Sequence, residues 1–278
     1  MNETLRLAVF GDPVEHSQSP RIHGLFAEQC GLDIDYRRIR CSARDLPERF
    51  ERFTAEGGRG ANLTVPLKQA GRRLCRQLDP AARLARAVNT LNLAEGGWNG
   101  YNTDGEGLLL DFARLGLDPA GQQILIIGAG GATAGLLGPL LARRPAGICI
   151  LNRTVARAIE LGERFQHLGP VQAASLSDGP SSDQPCDLII QATSAGHQGS
   201  QPPINTEWLK PAGQVYDLNY GSAHEPVRQW CRSGGFTGHS GLGMLVGQAA
   251  LAFEIWTGRR PDMNRALARL SERPAEGD

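Results

Sequence analysis

The run Ile124-Leu125-Ile126-Ile127-Gly128-Ala129-Gly130-Gly131-Ala132 constrains this chain more than any other stretch. A short apolar strand that breaks into clustered glycines lets the backbone turn sharply and approach a nucleotide pyrophosphate, whose charge then rests on the N-terminus of the next helix. A plain strand-to-helix turn is the alternative. The third position of a simple G-x-G-x-x-G is Thr133 here, with Gly131 and Ala132 just before it. Because the run begins near residue 124 of 278, about one small domain of sequence precedes it with another task.

A chain of 278 residues is long enough for two domains, each burying its own core. Lys plus Arg equals Asp plus Glu at 29 each, so no overall field draws nucleic acid or an anionic membrane, and an anionic ligand must be met by a local site. The expected partner is a small molecule, with no nucleic acid and no membrane. Cys30, Cys41, Cys75, Cys149, Cys186 and Cys231 form no C-x-x-C pair and have no matching histidine spacing, which argues against a zinc site and a disulfide framework. They read as reduced thiols in a cytosol, so a cytoplasmic location and no metal are expected. Glu3 and Arg6 lie in the first ten residues, and the longest apolar stretch, 242–256, is broken by Gln248 and Glu254; neither reads as an export signal or a span.

Hydrophobic patterning alternates strands with helices. Residues 5–10 read as a strand ending at Gly11-Asp12-Pro13, and Ile22, Leu25, Phe26 and Cys30 recur at helical spacing. A second strand follows over 34–39, a helix over 45–54 and a third strand over 60–65, with a helix opening at Pro66. Residues 87–93 and 97–101 add strands around Glu95-Gly96-Gly97, and a helix over 104–115 stops at Gly116. Beyond it lie strands over 123–127, 148–151, 188–192 and 215–218, and helices from 132 to about 143 and over 155–165. Residues 175–185, rich in Ser, Asp and Pro, read as a surface loop, and 242–257 as a largely apolar buried helix. The alternation implies the α/β class with mostly parallel sheets.

Candidate chemistry sits at several turns. Roughly twenty residues past the glycines, where an NAD-binding unit places an acid on the ribose 2′-hydroxyl, the chain has Asn152-Arg153-Thr154. With no carboxylate to repel a 2′-phosphate, Arg153 can pair with one and lie against the adenine, with Arg157 one turn later. That favours NADP(H); the plainer alternative is Thr154 as a helix N-cap and Arg153 as a solvated charge. Asn62-Leu63-Thr64-Val65-Pro66-Leu67-Lys68 closes with a lysine in the first turn of a Pro-initiated helix. The helix dipole disfavours a cation there and eases proton donation; an exposed lysine with its head in water is the alternative. In Asn102-Thr103-Asp104-Gly105, Asp104 is either a site carboxylate or the cap of the next helix. In His16-Ser17-Gln18-Ser19-Pro20, Ser19 before a proline at N1 suits a helix start, while two hydroxyls beside a helix N-terminus also make a carboxylate site.

In this order and spacing, the segments resemble the shikimate dehydrogenase family from Gly11 to about Thr257. The resemblance rests on the motifs just quoted at Gly11, His16, Asn62, Asn102, Gly128 and Asn152. It rests also on Ala87-Val88-Asn89-Thr90, Ala192-Thr193-Ser194 and Gly241-Leu242-Gly243-Met244-Leu245-Val246-Gly247-Gln248. It implies an NADPH-linked, reversible reduction of the C3 ketone of 3-dehydroshikimate to shikimate, on the route to aromatic amino acids and without a metal. Carried over position by position, Ser17, Ser19 and Tyr220 would bind the substrate carboxylate. Thr64, Lys68, Asn89, Asp104 and Gln248 would hold the ring hydroxyls and the reacting oxygen, with Lys68 and Asp104 as the catalytic pair. Gly128, Ala129, Gly130, Gly131 and Ala132 would meet the pyrophosphate, Asn152, Arg153 and Thr154 the adenosine phosphate, and Thr193, Leu218 and Gly241 the nicotinamide side. The chain departs from the family's commonest pattern at Gln18, Leu63, Leu218-Asn219, Glu225 and Ser240. None of these removes an implied catalytic group.

A quinate/shikimate dehydrogenase with relaxed NAD/NADP use is the nearest alternative. Against it stand Thr64, where quinate-using relatives tend to have serine, and the lack of an acid at Asn152 or Arg153. A non-catalytic NADP-binding sensor fits the glycine turn alone, and a folate-linked dehydrogenase would not call for the paired serines. The resemblance implies a mostly parallel α/β substrate domain over 1–103, joined by C-terminal helices returning within 239–278. Between them, 104–238 would form a Rossmann-like NADP-binding domain, with the active site in the cleft and the chain a monomer or homodimer.

Overall fold

Leu7, Ala8, Val9 and Phe10 are all buried because β1 (Leu5–Gly11) runs inside a sheet, parallel to β2 (Ile34–Arg40) on one side and β3 (Gly58–Leu63) on the other. A strand covered on both faces needs a continuous apolar run rather than an alternating one. The computed structural model describes residues 4–180, 185–194, 196, 200–201 and 203–271. Beyond β3 the first sheet continues through β4 (Gln77–Leu78), β5 (Thr90–Ala94) and β6 (Gly97–Tyr101), in the order β2-β1-β3-β5-β6-β4. Three of its pairings are parallel, and the two made by β5 are antiparallel.

Helix α1 (Ser19–Cys30) turns Ile22, Phe26 and Ala27 into a core shared with the last helices of the chain, and Gly31 ends it in the left-handed region at φ 63°. Helix α2 (Leu46–Ala55) packs Phe50 and Phe53 on Phe10, with ring centroids 5.4 and 5.5 Å away. The expected helix at Pro66 does not form. Val65 precedes a proline and so avoids the helical region, Leu67 N–H bonds to the Thr64 carbonyl, and Val88 N–H takes the Lys68 carbonyl at 2.7 Å. The chain winds only at Ala70–Leu74, as a 3-10 turn. Helix α3 (Pro80–Ala85), capped by the Asp79 carboxylate on Ala82 N–H, is too short for a sequence pattern to mark.

A second sheet is parallel throughout: β7 (Gln123–Ile127), β8 (Gly147–Asn152), β9 (Val171–Ser175), β10 (Cys186–Gln191), β11 (Leu209–Asp217) and β12 (Thr237–Ser240). Its order, β12-β11-β10-β7-β8-β9, steps outward from β7 in both directions, the doubly wound order in which ligands lie at the carboxyl ends beside the switch point. Helices α4 (Asp104–Leu115), α5 (Gly131–Ala142), α6 (Val155–Phe165) and α7 (Glu225–Gly234) alternate with these strands. The expected loop over 175–185 begins at the end of β9, and its residues 181–184 lie outside the described residues.

The last helices are α8 (Leu242–Thr257) and α9 (Met263–Ser271). Val246, Ala249 and Phe253 of α8 and Ala266 of α9 pack with Ile22 and Phe26 of α1. The chain divides into two compact units: Met1–Gly107 with Leu245–Asp278, and Leu108–Met244. Both divisions fall inside helices, so the first turn of α4 belongs with the first sheet; the boundaries at 103/104 and 238/239 implied by the resemblance lie a few residues earlier. Among the described residues no helix is long and apolar enough to cross a membrane.

Candidate active site

In the first unit, Asp104 opens α4, yet its carboxylate caps nothing. Oδ2 accepts from Lys68 Nζ at 2.6 Å and Oδ1 from Asn89 Nδ2 at 2.8 Å. Thr103 takes the cap position, its carbonyl receiving Gly107 N–H. The Asp104 side chain is 4% exposed and that of Lys68 16%, a setting in which either charge alone would be costly and the pair is held by further hydrogen bonds. The exposed-lysine reading therefore fails, and so does the dipole argument, since no helix begins at Pro66.

Asn89 is fixed from every side. Its backbone N–H bonds to the Tyr101 carbonyl and its own carbonyl accepts Leu63 N–H. Its Oδ1 accepts Thr103 N–H at 2.9 Å, and its Nδ2 lies 2.9 Å from Thr103 Oγ1 and 3.3 Å from Gln248 Oε1. Gln248 reaches this cluster because α8 meets the first turn of α4 glycine to glycine: a Cβ on Gly247 would lie 2.7 Å from the Gly107 carbonyl oxygen. Gly247→Ala is expected to lower stability by about 1–3 kcal/mol in urea unfolding, because backbone must move to admit the methyl group.

Ser19 is the first helical residue of α1 rather than its cap. Gln18 stands in that place without a side-chain bond. The Ser17 hydroxyl donates to Ser19 Oγ at 3.1 Å, Ser19 N–H returns to Ser17 Oγ at 3.3 Å, and Arg38 Nη2 donates to the Ser17 carbonyl at 2.7 Å. The two hydroxyls are thus paired beside a helix N-terminus, with a guanidinium behind them. Thr64, half-buried, follows β3, its N–H on the Phe10 carbonyl.

Sequence reasoning missed the side chains joining these groups. Tyr36 Oη donates to Asn62 Oδ1 at 2.7 Å, Asn62 Nδ2 donates to Thr90 Oγ1 at 3.1 Å, and Thr90 Oγ1 donates to Asn89 Oδ1 at 3.0 Å. Burial pushes the Tyr36 phenol well above its ordinary range, against an opposing hydrogen bond with Ser19. Asn62 and Thr90 are polar residues in buried strand positions, which is the signal that would have found them.

In the second unit, Gly128 has φ 113°, and a Cβ there would press to 3.1 Å on the Ala192 carbonyl. Its N–H bonds to the Leu151 carbonyl, and the Thr133 hydroxyl donates to its carbonyl at 2.7 Å. Ala129 N–H donates to Asn152 Oδ1 at 3.1 Å, and Asn152 Nδ2 donates to the Thr154 carbonyl at 2.9 Å, so one side chain ties the glycine turn to the end of β8. Gly130 stands at the cap position of α5, no atom occupying the space a Cβ would take, while Gly131 and Ala132 begin the helix. An open backbone beside free helix N–H groups fits a dinucleotide pyrophosphate. Arg153 and Arg157 are exposed, and Thr154 at the cap position of α6 makes no side-chain cap bond. Thr193, Leu218 and Gly241 follow β10, β11 and β12 at the carboxyl ends of the sheet, and half-buried Tyr220 lies in the same unit.

Family models match three stretches of the chain. These are "Shikimate dehydrogenase substrate binding domain" over residues 9–91, "Shikimate / quinate 5-dehydrogenase" over 113–212 and "Shikimate 5'-dehydrogenase C-terminal domain" over 241–267. A Methylococcus capsulatus protein named shikimate dehydrogenase (NADP(+)) is 46% identical over 278 residues, covering 97% of each chain. Among solved structures, an Ael1 enzyme from Pseudomonas putida is similar with a TM-score of 0.88 at 35% identity, covering 97% of this chain and 99% of that one. A shikimate 5-dehydrogenase from Thermus thermophilus, in complex with NADP(H) and shikimate, has a TM-score of 0.81 at 32% identity, covering 96% and 99%.

Proposed function

The chain belongs to the shikimate dehydrogenase family, and from that membership we propose that it reduces 3-dehydroshikimate to shikimate with NADPH, reversibly, in the biosynthesis of aromatic amino acids. The observation that best supports this reading is the part-buried ion pair of Lys68 and Asp104 at 2.6 Å, flanked by Asn89 and Gln248. When bound, NADPH supplies the hydride that the ketone carbon takes. Lys68 stabilises the negative charge growing on the carbonyl oxygen and passes it a proton, while Asp104 holds the ammonium and is itself held by Asn89. Ser17, Ser19 and Tyr220 take the substrate carboxylate, and Thr64, Asn89 and Gln248 the ring hydroxyls.

The first unit serves in this reading as the substrate domain and the second as the NADP-binding domain. Gly128, Ala129, Gly130, Gly131 and Ala132 would hold the pyrophosphate, Asn152, Arg153 and Thr154 the adenosine phosphate, and Thr193, Leu218 and Gly241 the nicotinamide side. Arg153→Ala is expected to raise KM for NADP more than about tenfold and to leave KM for NAD nearly unchanged, because only the former has a 2′-phosphate to pair. Equal changes in steady-state kinetics with both nucleotides would remove Arg153 from that role. A cytoplasmic location belongs to this reading, the six scattered cysteines suiting a reducing compartment. A monomer or homodimer is the proposed assembly, to be measured by light scattering.

The decisive assay follows nicotinamide absorbance with shikimate and quinate crossed against NADP and NAD. Activity mainly with shikimate and NADP is the expected result. Comparable rates with quinate or NAD would move the chain to the broader quinate/shikimate group, and nucleotide binding without turnover would make it a sensor.

A further inference from the structure

Strands β10, β11 and β12 end side by side, and Asn219 ties the three ends together, its side-chain amide reaching those of β10 and β11 and its backbone carbonyl that of β12. Asn219 Nδ2 donates to the Thr193 carbonyl just past β10 at 3.0 Å and to Asp217 Oδ1 at the end of β11 at 2.9 Å. Asn219 N–H donates to the same carboxylate oxygen at 3.1 Å, and the Asn219 carbonyl accepts Gly241 N–H just past β12 at 2.9 Å. The other oxygen of wholly buried Asp217 faces His224 Nδ1 at 3.0 Å. Gln191 also holds Thr193, its Nε2 donating to the Thr193 hydroxyl at 2.8 Å.

Ending a buried parallel strand requires none of this. An apolar residue would serve at position 219, and a buried amide that donates both to the backbone just past a neighbouring strand and to the carboxylate ending its own strand is explained by the need to fix that backbone. The backbone so fixed lies at the carboxyl edge of a doubly wound sheet, where a dinucleotide lies. In sheet order two strands, β10 and β7, separate β11 from β8, whose end bears Asn152 and Arg153. At roughly 5 Å per strand that interval is about the reach of a dinucleotide from one half to the other.

We propose that Asn219, locked by the Asp217–His224 pair, is a positioning residue for the nicotinamide half of NADP(H), holding the Thr193 and Gly241 backbone that would support it. The proposal rests on the cofactor reading given above. It separates the two halves of the cofactor: loss of the amide disturbs the nicotinamide side and leaves the adenosine side intact.

The test uses the full chain and Asn219→Leu, with NADPH titrated by fluorescence and 2′,5′-ADP, the adenosine half alone, by calorimetry. The expected result is a dissociation constant for NADPH raised about tenfold, with that for 2′,5′-ADP within about twofold of the unsubstituted protein. Equal losses for both probes would mark a purely structural role and overturn the proposal, as would unchanged NADPH affinity. Asn219→Ala, which keeps the backbone bonds to Asp217 and Gly241, carries the same expectation if the leucine variant fails to fold by circular dichroism. If neither variant folds, Asn219 serves the fold and the proposal falls. If the unsubstituted protein binds neither probe, the cofactor reading itself fails, a result distinct from all of these.

Discussion

Lys68→Ala is expected to lower kcat for shikimate oxidation by about 10²- to 10⁴-fold, the range of a lost acid-base group, while KM for shikimate moves far less. The ammonium is held at 2.6 Å by Asp104, whose second oxygen is held by Asn89, so its position is set before any substrate arrives. A group placed in advance to meet charge that develops only in the transition state acts on kcat rather than on ground-state binding. Asp104→Asn should give a loss of the same order, because Lys68 would keep a neutral neighbour but lose the charge that holds it. The double variant should lose little more than either single one, since the two act as a unit. Steady-state nicotinamide absorbance, with circular dichroism to check the fold, measures all three. A loss under about tenfold for Lys68→Ala would remove it from the reaction, because an acid-base group is worth more than that.

The pair is only half legible in the sequence. The types and spacing of Lys68 and Asp104 mark them as candidates, but local rules mislead on both. A proline followed closely by a lysine suggests a helix start, and an aspartate ahead of an apolar helical run suggests a cap. Bonds from distant residues override both suggestions: Val88 N–H takes the Lys68 carbonyl, and Asn89 and Lys68 take the two carboxylate oxygens. The strand at β7 and its glycines are legible because the whole signal, a continuous apolar run broken by residues that permit φ 113°, lies within a few consecutive positions. Helices α7 and α9 and strand β12 escape a coarse reading because they are short and largely polar, and their few buried residues, such as Val227, Cys231 and Ala266, gain meaning only against partners far along the chain. Asn219 is the extreme case: beside Leu218 it is merely an uncommon residue, and its work shows only when Thr193 and Gly241 stand next to it.

A second large effect is expected from acid, through His23. Its ring is wholly buried, stacked on Tyr36 at 4.5 Å and 9°, with Phe26, Phe253 and Trp256 around it, and neither ring nitrogen has a hydrogen-bond partner among the described residues. Burial pushes its pKa from 6.5 down to about 3, against an opposing pull from Asn62. Above pH 6.5 neither the folded nor the unfolded chain protonates this ring, so it adds no pH dependence there. Below it the unfolded chain binds a proton that the folded one refuses, and stability falls as pH drops, by up to about 1.4 kcal/mol per unit, until the folded ring protonates near pH 3. Between pH 7 and pH 5 the loss from His23 alone should be about 2 kcal/mol. His23→Leu, which replaces an unpartnered polar ring by an apolar side chain, should be neutral or stabilising at pH 7 and should abolish this part of the acid sensitivity. Urea unfolding of both proteins at the two pH values isolates the effect, because every other titrating group is common to them and cancels. Parallel losses in the two proteins would mean that the fold does not hold this imidazole neutral, and that the aromatic cluster around it tolerates the charge.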